Sequence, residues 1–423
     1  MQNFWHKFRI VLEDKGLRRR VLFVIAALLV FRLLAAIPIP GIDTVKLQGF
    51  LANNQFLGVL NIFSGGGLSH LSVIMLGVGP FITGSIIMQL LTIMIPKFKQ
   101  LYHDEGELGR QKFTQYSRLL TIPLALIQGF GLMVLLQRQE IFGVLSNFDK
   151  IVNLLVIVTG SVLIMWIGEL ITEFGISNGV SLIIFAGIIA SLPTNINQLI
   201  FTFDPSKIPL YIAFLAVAIL IIAGVVIVSE AERPIPVTYA KQARGTKTFG
   251  GVSTYLPLRV NQAGVIPIIF ALSILLFPKM IGSFLASSTN VILLKISGVM
   301  LAFVQNSWLY GISYFILVFL FTYFYTAITF DPHALSTNLQ KNGAFIPGVR
   351  PGQPTSDYVA TTLSRITLIG AGFLGLIAVL PLIMQSITGI TTLAIGGTAL
   401  LIVVSVVIDL IKKVDAQISM REY

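Results

Sequence analysis

The chain contains no cysteine. Disulfides, thiol nucleophiles and cysteine-based metal sites are therefore excluded. Histidine is almost as scarce: His6, His70, His103 and His333 are all there is, and no two stand at i, i+4. Neither a zinc site nor a serine–histidine pair is indicated. No Gly-x-x-x-x-Gly-Lys-Ser/Thr run is present to cradle a phosphate, so any ATP or GTP would be hydrolysed by a partner. No cofactor is expected.

Charge is thin as well. Of 423 residues only 11% are Asp, Glu, Lys or Arg, against 55% hydrophobic, and the mean hydropathy is +0.88. A soluble globule is excluded, which leaves an all-α polytopic membrane protein. A helix needs about 20 apolar residues to cross the hydrocarbon. Ten windows qualify, near 21–37, 71–95, 117–137, 152–172, 180–201, 208–229, 262–282, 306–328, 365–385 and 390–411. An even number puts both termini on one side. The first window follows Leu17-Arg18-Arg19-Arg20 and has no small-residue cleavage site, so it is expected to be a retained helix.

The net charge of +11 is unevenly placed, with 22 of 29 Lys and Arg in the termini and the loops on their side. By the positive-inside rule the termini are cytoplasmic. The same excess suits anionic lipid headgroups, and charge alone also allows a nucleic-acid or ribosome surface.

One apolar piece, Gly58 to Phe63, is too short to cross and runs into Ser64-Gly65-Gly66-Gly67. Backbone that dips in and turns back is tolerated at membrane depth only inside protein or beside a water-filled cavity. Such interrupted segments point to a transport path.

Cutting near residue 205 gives two halves of five crossings, 1–204 and 205–423, and an odd number per half makes the second copy inverted. Gly77-Val78-Gly79-Pro80-Phe81-Ile82 and Gly264-Val265-Ile266-Pro267-Ile268-Ile269 share Gly-x-x-Pro-x-Ile. Windows five and ten open on Gly179 and Gly397, each with an isoleucine five residues on. Ile82, Ile184, Ile269 and Ile402 would then lie at related depths as an apolar ring, a constriction that excludes ions by dewetting. An unpaired ion in an apolar medium costs on the order of tens of kcal/mol.

Two long loops face the cytoplasm. Loop 230–259 reads as an extended hairpin with a basic tip at Arg244 and Lys247. In loop 330–362, Pro347, Pro351 and the glycines around them fix an irregular tip presenting Arg350. Gly175-Ile176-Ser177-Asn178-Gly179 matches a nucleophile elbow, but that pattern acts only between a strand and a helix, and here it joins two membrane helices. Ionisable residues within or near the spans are Arg32, Glu169, Glu173 and Asp409, functional candidates by default. For Arg32, long enough to reach a headgroup or carbonyl, and Glu169, near a helix end, a structural role is expected.

These stretches resemble the SecY family, the protein-conducting channels of bacterial membranes, almost end to end. The resemblance is carried by Val30-Phe31-Arg32, Ile37-Pro38-Ile39-Pro40-Gly41, Asn61-Ile62-Phe63-Ser64-Gly65-Gly66, Gln89-Leu90-Leu91-Thr92, Trp166-Ile167-Gly168-Glu169, Leu256-Pro257-Leu258-Arg259-Val260-Asn261 and Gly396-Gly397-Thr398. It implies that 58–67 is a short plug helix on the exterior side, with Gly58, Leu60, Ile62, Phe63, Ser64, Gly65, Gly66 and Gly67. Val78 and Ile266 would join the isoleucine ring. A lateral gate is implied at Thr83, Gln128, Ser273 and Phe277, through which membrane anchors partition into lipid.

The resemblance further implies docking of the SecA motor or the ribosome on Lys241, Arg244, Lys247, Lys341 and Arg350. Small membrane subunits like SecE and SecG, signal peptides, unfolded preproteins and anionic lipids are the other implied partners, in the bacterial inner membrane. Val78 stands where the family usually has isoleucine, and 331–341 lacks several charges expected before the tip.

The expected function is a passive conduit for unfolded polypeptide. The rival is a secondary transporter of a small solute, which the inverted halves and broken helices also fit but which needs a polar site at midplane. An intramembrane hydrolase would need a base beside Ser177.

Overall fold

The computed structural model describes residues 13–40, 61, 64–103, 106–138, 141, 146–201, 205–239, 242–244, 247–249, 253–286, 290–388 and 391–419. Thirteen helices of eight residues or more are found among them: α1 Lys15–Ala35, α2 Gly79–Met94, α3 Pro96–His103, α4 Gly106–Arg138, α5 Asn147–Phe174, α6 Gly179–Phe201, α7 Ile208–Glu230, α8 Ile266–Leu285, α9 Val291–Gln305, α10 Ser307–Thr329, α11 Pro332–Lys341, α12 Gln353–Thr388 and α13 Thr391–Ser419. Each of the ten apolar windows falls on a helix. Among the described residues, five helices are individually long and apolar enough to cross a membrane, or six if α2 and α3, bent by 110° at their junction, make one span.

The first helix shows how local sequence sets its ends. The Asp14 carboxylate accepts the free N–H groups of Gly16 at 2.7 Å and Leu17 at 3.1 Å, and Arg32 lies in the last turn, where the helix dipole favours a cation. Beyond α1, Ile37–Ile39 runs antiparallel to Leu71–Val73: the Ile39 N–H donates to Leu71 O at 2.9 Å and the Val73 N–H to Ile37 O at 3.0 Å.

The expected crossing over 71–95 is an α-helix only from Gly79. Gly77 takes φ 55, and Pro80 sits at the second helical position, where its fixed φ suits a helix start and its missing N–H costs nothing. The sixteen residues of α2 reach about 24 Å, short of the roughly 30 Å hydrocarbon. The irregular backbone before it is buried in protein, as it must be: Leu71, Ser72, Ile74, Met75, Leu76 and Val78 are all buried. The buried Ser161 hydroxyl on α5 donates to Gly77 O at 2.9 Å, and a side chain at Gly160 would overlap the Val73 carbonyl.

That close approach makes a test. Gly160→Val should lower the thermal unfolding midpoint of the purified protein, since overpacking costs about 1–3 kcal/mol. Gly372→Val, where a Cβ meets nothing within 4 Å, is the control. Equal midpoints for the two would contradict the packing described.

The chain packs as two compact units, Met1–Ala216 with Leu272–Tyr310 and Pro381–Tyr423, and Val217–Ala271 with Gly311–Leu380. The first has a core of Ile39, Leu68, Leu71, Met75 and Leu76 with Ala125, Leu132, Met133 and Leu136 from α4 and Ile157 and Val158 from α5. In it, α9 was not among the ten windows, because fifteen residues span only about 22 Å. Asn290 caps it by accepting the Ile292 N–H at 3.0 Å, and the buried Ser297 hydroxyl donates to Gly282 O on α8 at 2.7 Å.

The second unit carries strands β1 Glu232–Tyr239, β2 Gln242–Arg244, β3 Lys247–Phe249, β4 Ser253–Arg259 and β5 Ala344–Phe345. The expected hairpin is present: β1 pairs antiparallel with β4 and β2 with β3. The two loops read separately from sequence are joined, because β5 from the second adds to β1, giving the order β4-β1-β5. Ile235, Val237, Leu258, Ala344 and Ile346 form one core with Val359 and Ile366 of α12.

Candidate functional site

The glycine run is a knot of short-range bonds. Ser64–Gly66 form a turn, and Gly67–His70 a single helical turn. Gly65 at φ 62 and Gly66 at φ 87 are in the left-handed region open to glycine. Of the plug helix expected over 58–67, Asn61 is helical and Ser64–Gly66 form a turn, where consecutive left-handed residues cannot continue a right-handed helix; Gly58, Leu60, Ile62 and Phe63 lie outside the described residues. Asn61 organises the turn: its carbonyl accepts the Gly66 N–H at 2.8 Å and the Ser64 hydroxyl at 3.0 Å. Its side-chain carbonyl accepts the Ser69 N–H at 3.0 Å. The Ser64 hydroxyl oxygen also accepts the Leu68 N–H at 3.0 Å.

Arg32 answers the question its position raised. Its Nη1 donates to Gly65 O at 3.4 Å. Glu169 pairs with Arg118 of α4 at 2.6 Å. The Ser177 hydroxyl donates to Asp409 of α13 at 3.0 Å, and Lys413 engages the same carboxylate at 3.0 Å. This cluster ties the α5–α6 turn to the end of α13.

Of the ring candidates, Val78, Ile82, Ile184 and Ile402 belong to the first unit and are buried; in the second unit Ile269 is buried and Ile266 half-buried. None is on an exposed surface. The Gly-x-x-Pro-x-Ile copies share one local conformation. Gly264 takes φ 61 as Gly77 takes φ 55, a helix begins two residues later, and the proline is its second residue. Ile82 and Ile269 are consequently both fourth in their helices. The other proposed pair differs: Gly179 begins α6, whereas Gly397 is interior to α13, because the apolar run extends upstream through Thr391–Ile395.

At the expected lateral gate, Thr83 and Gln128 are buried, with Gln128 Nε2 3.5 Å from Thr83 Oγ1. The Thr83 hydroxyl also donates to Gly79 O at 3.0 Å. Ser273 is buried and Phe277 half-buried on α8.

The docking candidates lie in the second unit. Arg244 of β2 pairs with Lys247 of β3 in the backbone register, and Lys241 lies outside the described residues. Lys341 ends α11 and Arg350 is exposed on the following turn. Sequence reading missed what stiffens that turn. The Ser336 hydroxyl on α11 donates to Gly352 O at 2.6 Å, and the Thr355 hydroxyl on α12 to Arg350 O at 2.8 Å. α11 itself was also missed, although Asp331-Pro332 is a start signal: the Asp331 carboxylate accepts the His333 and Ala334 N–H groups at 2.8 and 3.1 Å.

Buried irregular backbone and two glycine-fixed helix starts among long apolar helices describe a polytopic membrane fold. The SecY family model matches residues 72–411. The protein translocase subunit SecY of Corynebacterium glutamicum is 40% identical over 437 residues, covering 97% of each chain. Among solved structures, one described as showing that the plug domain of SecY stabilises the closed state of the translocation channel and maintains a membrane seal aligns with TM-score 0.66. It is 18% identical and covers 95% of this chain and 92% of the other. Sec61 from the canine ribosome-channel complex of the endoplasmic reticulum aligns with TM-score 0.62 at 18% identity, covering 95% and 93%. The chain belongs to the SecY family, the channel subunits of the bacterial protein translocase. It is a membrane channel and not an enzyme.

Proposed function

We propose that this channel conducts unfolded polypeptide passively, through ten crossings arranged as inverted halves 1–204 and 205–423, with both termini cytoplasmic. Val78, Ile82, Ile184, Ile266, Ile269 and Ile402 form the constriction. The segment 58–67 stops it from the exterior side, and Thr83, Gln128, Ser273 and Phe277 line the seam that releases anchors to lipid. The observation that carries this reading is the matched pair of helix starts, which puts Ile82 and Ile269 at the same position of two helices. Aliphatic side chains there offer no ligand to a small polar solute, which disfavours the transporter.

Released segments are sorted by transfer free energy. A central Leu or Ile gains roughly 0.3–0.6 kcal/mol in lipid while a Lys or Asp loses about 3. Motive force comes from the SecA motor or the ribosome, docked on Arg350, Lys341, Lys241, Arg244 and Lys247. Small subunits like SecE and SecG brace the halves, signal peptides open the seam for preproteins, and anionic lipids face the basic loops.

Proteoliposomes holding the chain with its small subunits, supplied with motor, ATP and a preprotein, test this. Protease-protected preprotein should appear only when the chain is present, without accumulation of small solutes. Solute uptake with no protected polypeptide would favour the transporter.

A further inference from the structure

The glycine turn is gripped from two sides. The tip of the Phe31 ring on α1 occupies the space a side chain at Gly65 would need, and a Cβ at Gly187 on α6 would overlap the Gly65 backbone. Phe31 is buried, 1% exposed, and Ser64 is wholly buried. Arg32, one residue on, bonds the Gly65 carbonyl, and its guanidinium lies 3.3 Å from where a Cβ on Gly66 would sit. The next residues are held as firmly: Leu71, buried, takes φ 41, an uncommon conformation for leucine that persists only where surroundings enforce it.

We infer that Phe31 and Gly187 form a seat for residues 64–67, latched by Arg32, that holds the plug in its closed position. The three act as positioning residues. The seat works by subtraction: two facing glycines let the backbone of the turn come into van der Waals contact with α6, and the Phe31 ring closes over it. Displacing the turn costs much of that contact, because a gap of about an ångström already forfeits roughly a quarter to a half of the packing attraction. Arg32 adds a charge-assisted bond to a carbonyl, stronger than a neutral one. Closure is then set by α1 and α6 as well as by the constriction. This rests on reading 58–67 as the plug.

The absence of native cysteine makes a clean reporter available. In proteoliposomes of the full chain with its small subunits, Ser64→Cys places one thiol in the seat, and maleimide labelling rate measures how often the seat opens. Gly187→Ala should speed labelling about tenfold or more, and Arg32→Gln by several-fold, the loss of one charge-assisted bond. Arg32→Lys should restore most of the shielding, and Gly298→Ala, with nothing within 4 Å of its Cβ, should change nothing. Amide exchange at Gly66 and Leu68, both hydrogen-bonded within the turn itself, reads the exposure of the turn to solvent without the reporter. Unchanged labelling and exchange in Gly187→Ala would overturn the seat. Ion conductance of the same vesicles separates the two levels: faster labelling with an undiminished ion seal keeps the seat and refutes the plug as a seal.

Discussion

Replacing Ile82, Ile184, Ile269 and Ile402 together with glycine should make the resting channel leak ions, where each single replacement leaks less. All four side chains are buried. Dehydrating an ion costs on the order of tens of kcal/mol. If opening the ring recovers only about 3 kcal/mol of that barrier, passage rises roughly a hundredfold. Glycines at Ile219 and Leu220, exposed on α7 at 59% and 68%, should leave planar-bilayer conductance at its resting value. A leak no larger than theirs would remove the ring from the mechanism.

Arg350→Glu should strongly reduce driven transport while the resting channel stays tight. The residue stands on a tip fixed by Ser336 and Thr355 and by the core that includes Ala344 and Ile346, so little entropy would be lost if a partner's carboxylate or phosphate bound it. Truncating one member of a buried hydrogen-bonded charge pair costs about 2–5 kcal/mol, and reversal adds repulsion. Preprotein transport by the motor should fall by about 30-fold or more, with an unchanged thermal midpoint. Transport within a factor of two of the parent would move docking elsewhere. Ser336→Ala with Thr355→Ala, which loosens the tip but keeps its charge, should give an intermediate loss.

The helices under the apolar windows were legible because the bilayer imposes a length and a polarity that such windows report directly. The helix start at Gly79 was not, since hydropathy sees only that Val73 to Val78 is apolar, while the conformation of that backbone is fixed by Gly77, Pro80 and a hydroxyl 84 residues away at Ser161. The hairpin 230–259 was legible from its turn chemistry. Its union with Ala344–Phe345 depends on pairing across about a hundred residues of chain, for which local pattern carries no signal. Of the candidate site, the Gly-x-x-Pro-x-Ile copies could be read from spacing, and their shared glycine conformation supports that reading. The partner of Arg32 could be named only as a headgroup or a carbonyl, and Gly187 gave no sign at all: a glycine in an apolar helix shows its purpose only when its neighbour is known.

The most direct measurement places a photo-crosslinking residue singly at Ile82, Ile184, Ile269 and Ile402, and at the exposed Ile212, Ile219 and Ile227, in a channel jammed with an arrested preprotein. Crosslinks to the preprotein are expected from all four buried positions, and lipid adducts alone from the three exposed ones. Preprotein crosslinks from the exposed positions, with none from the buried four, would contradict a polypeptide path through the aliphatic constriction.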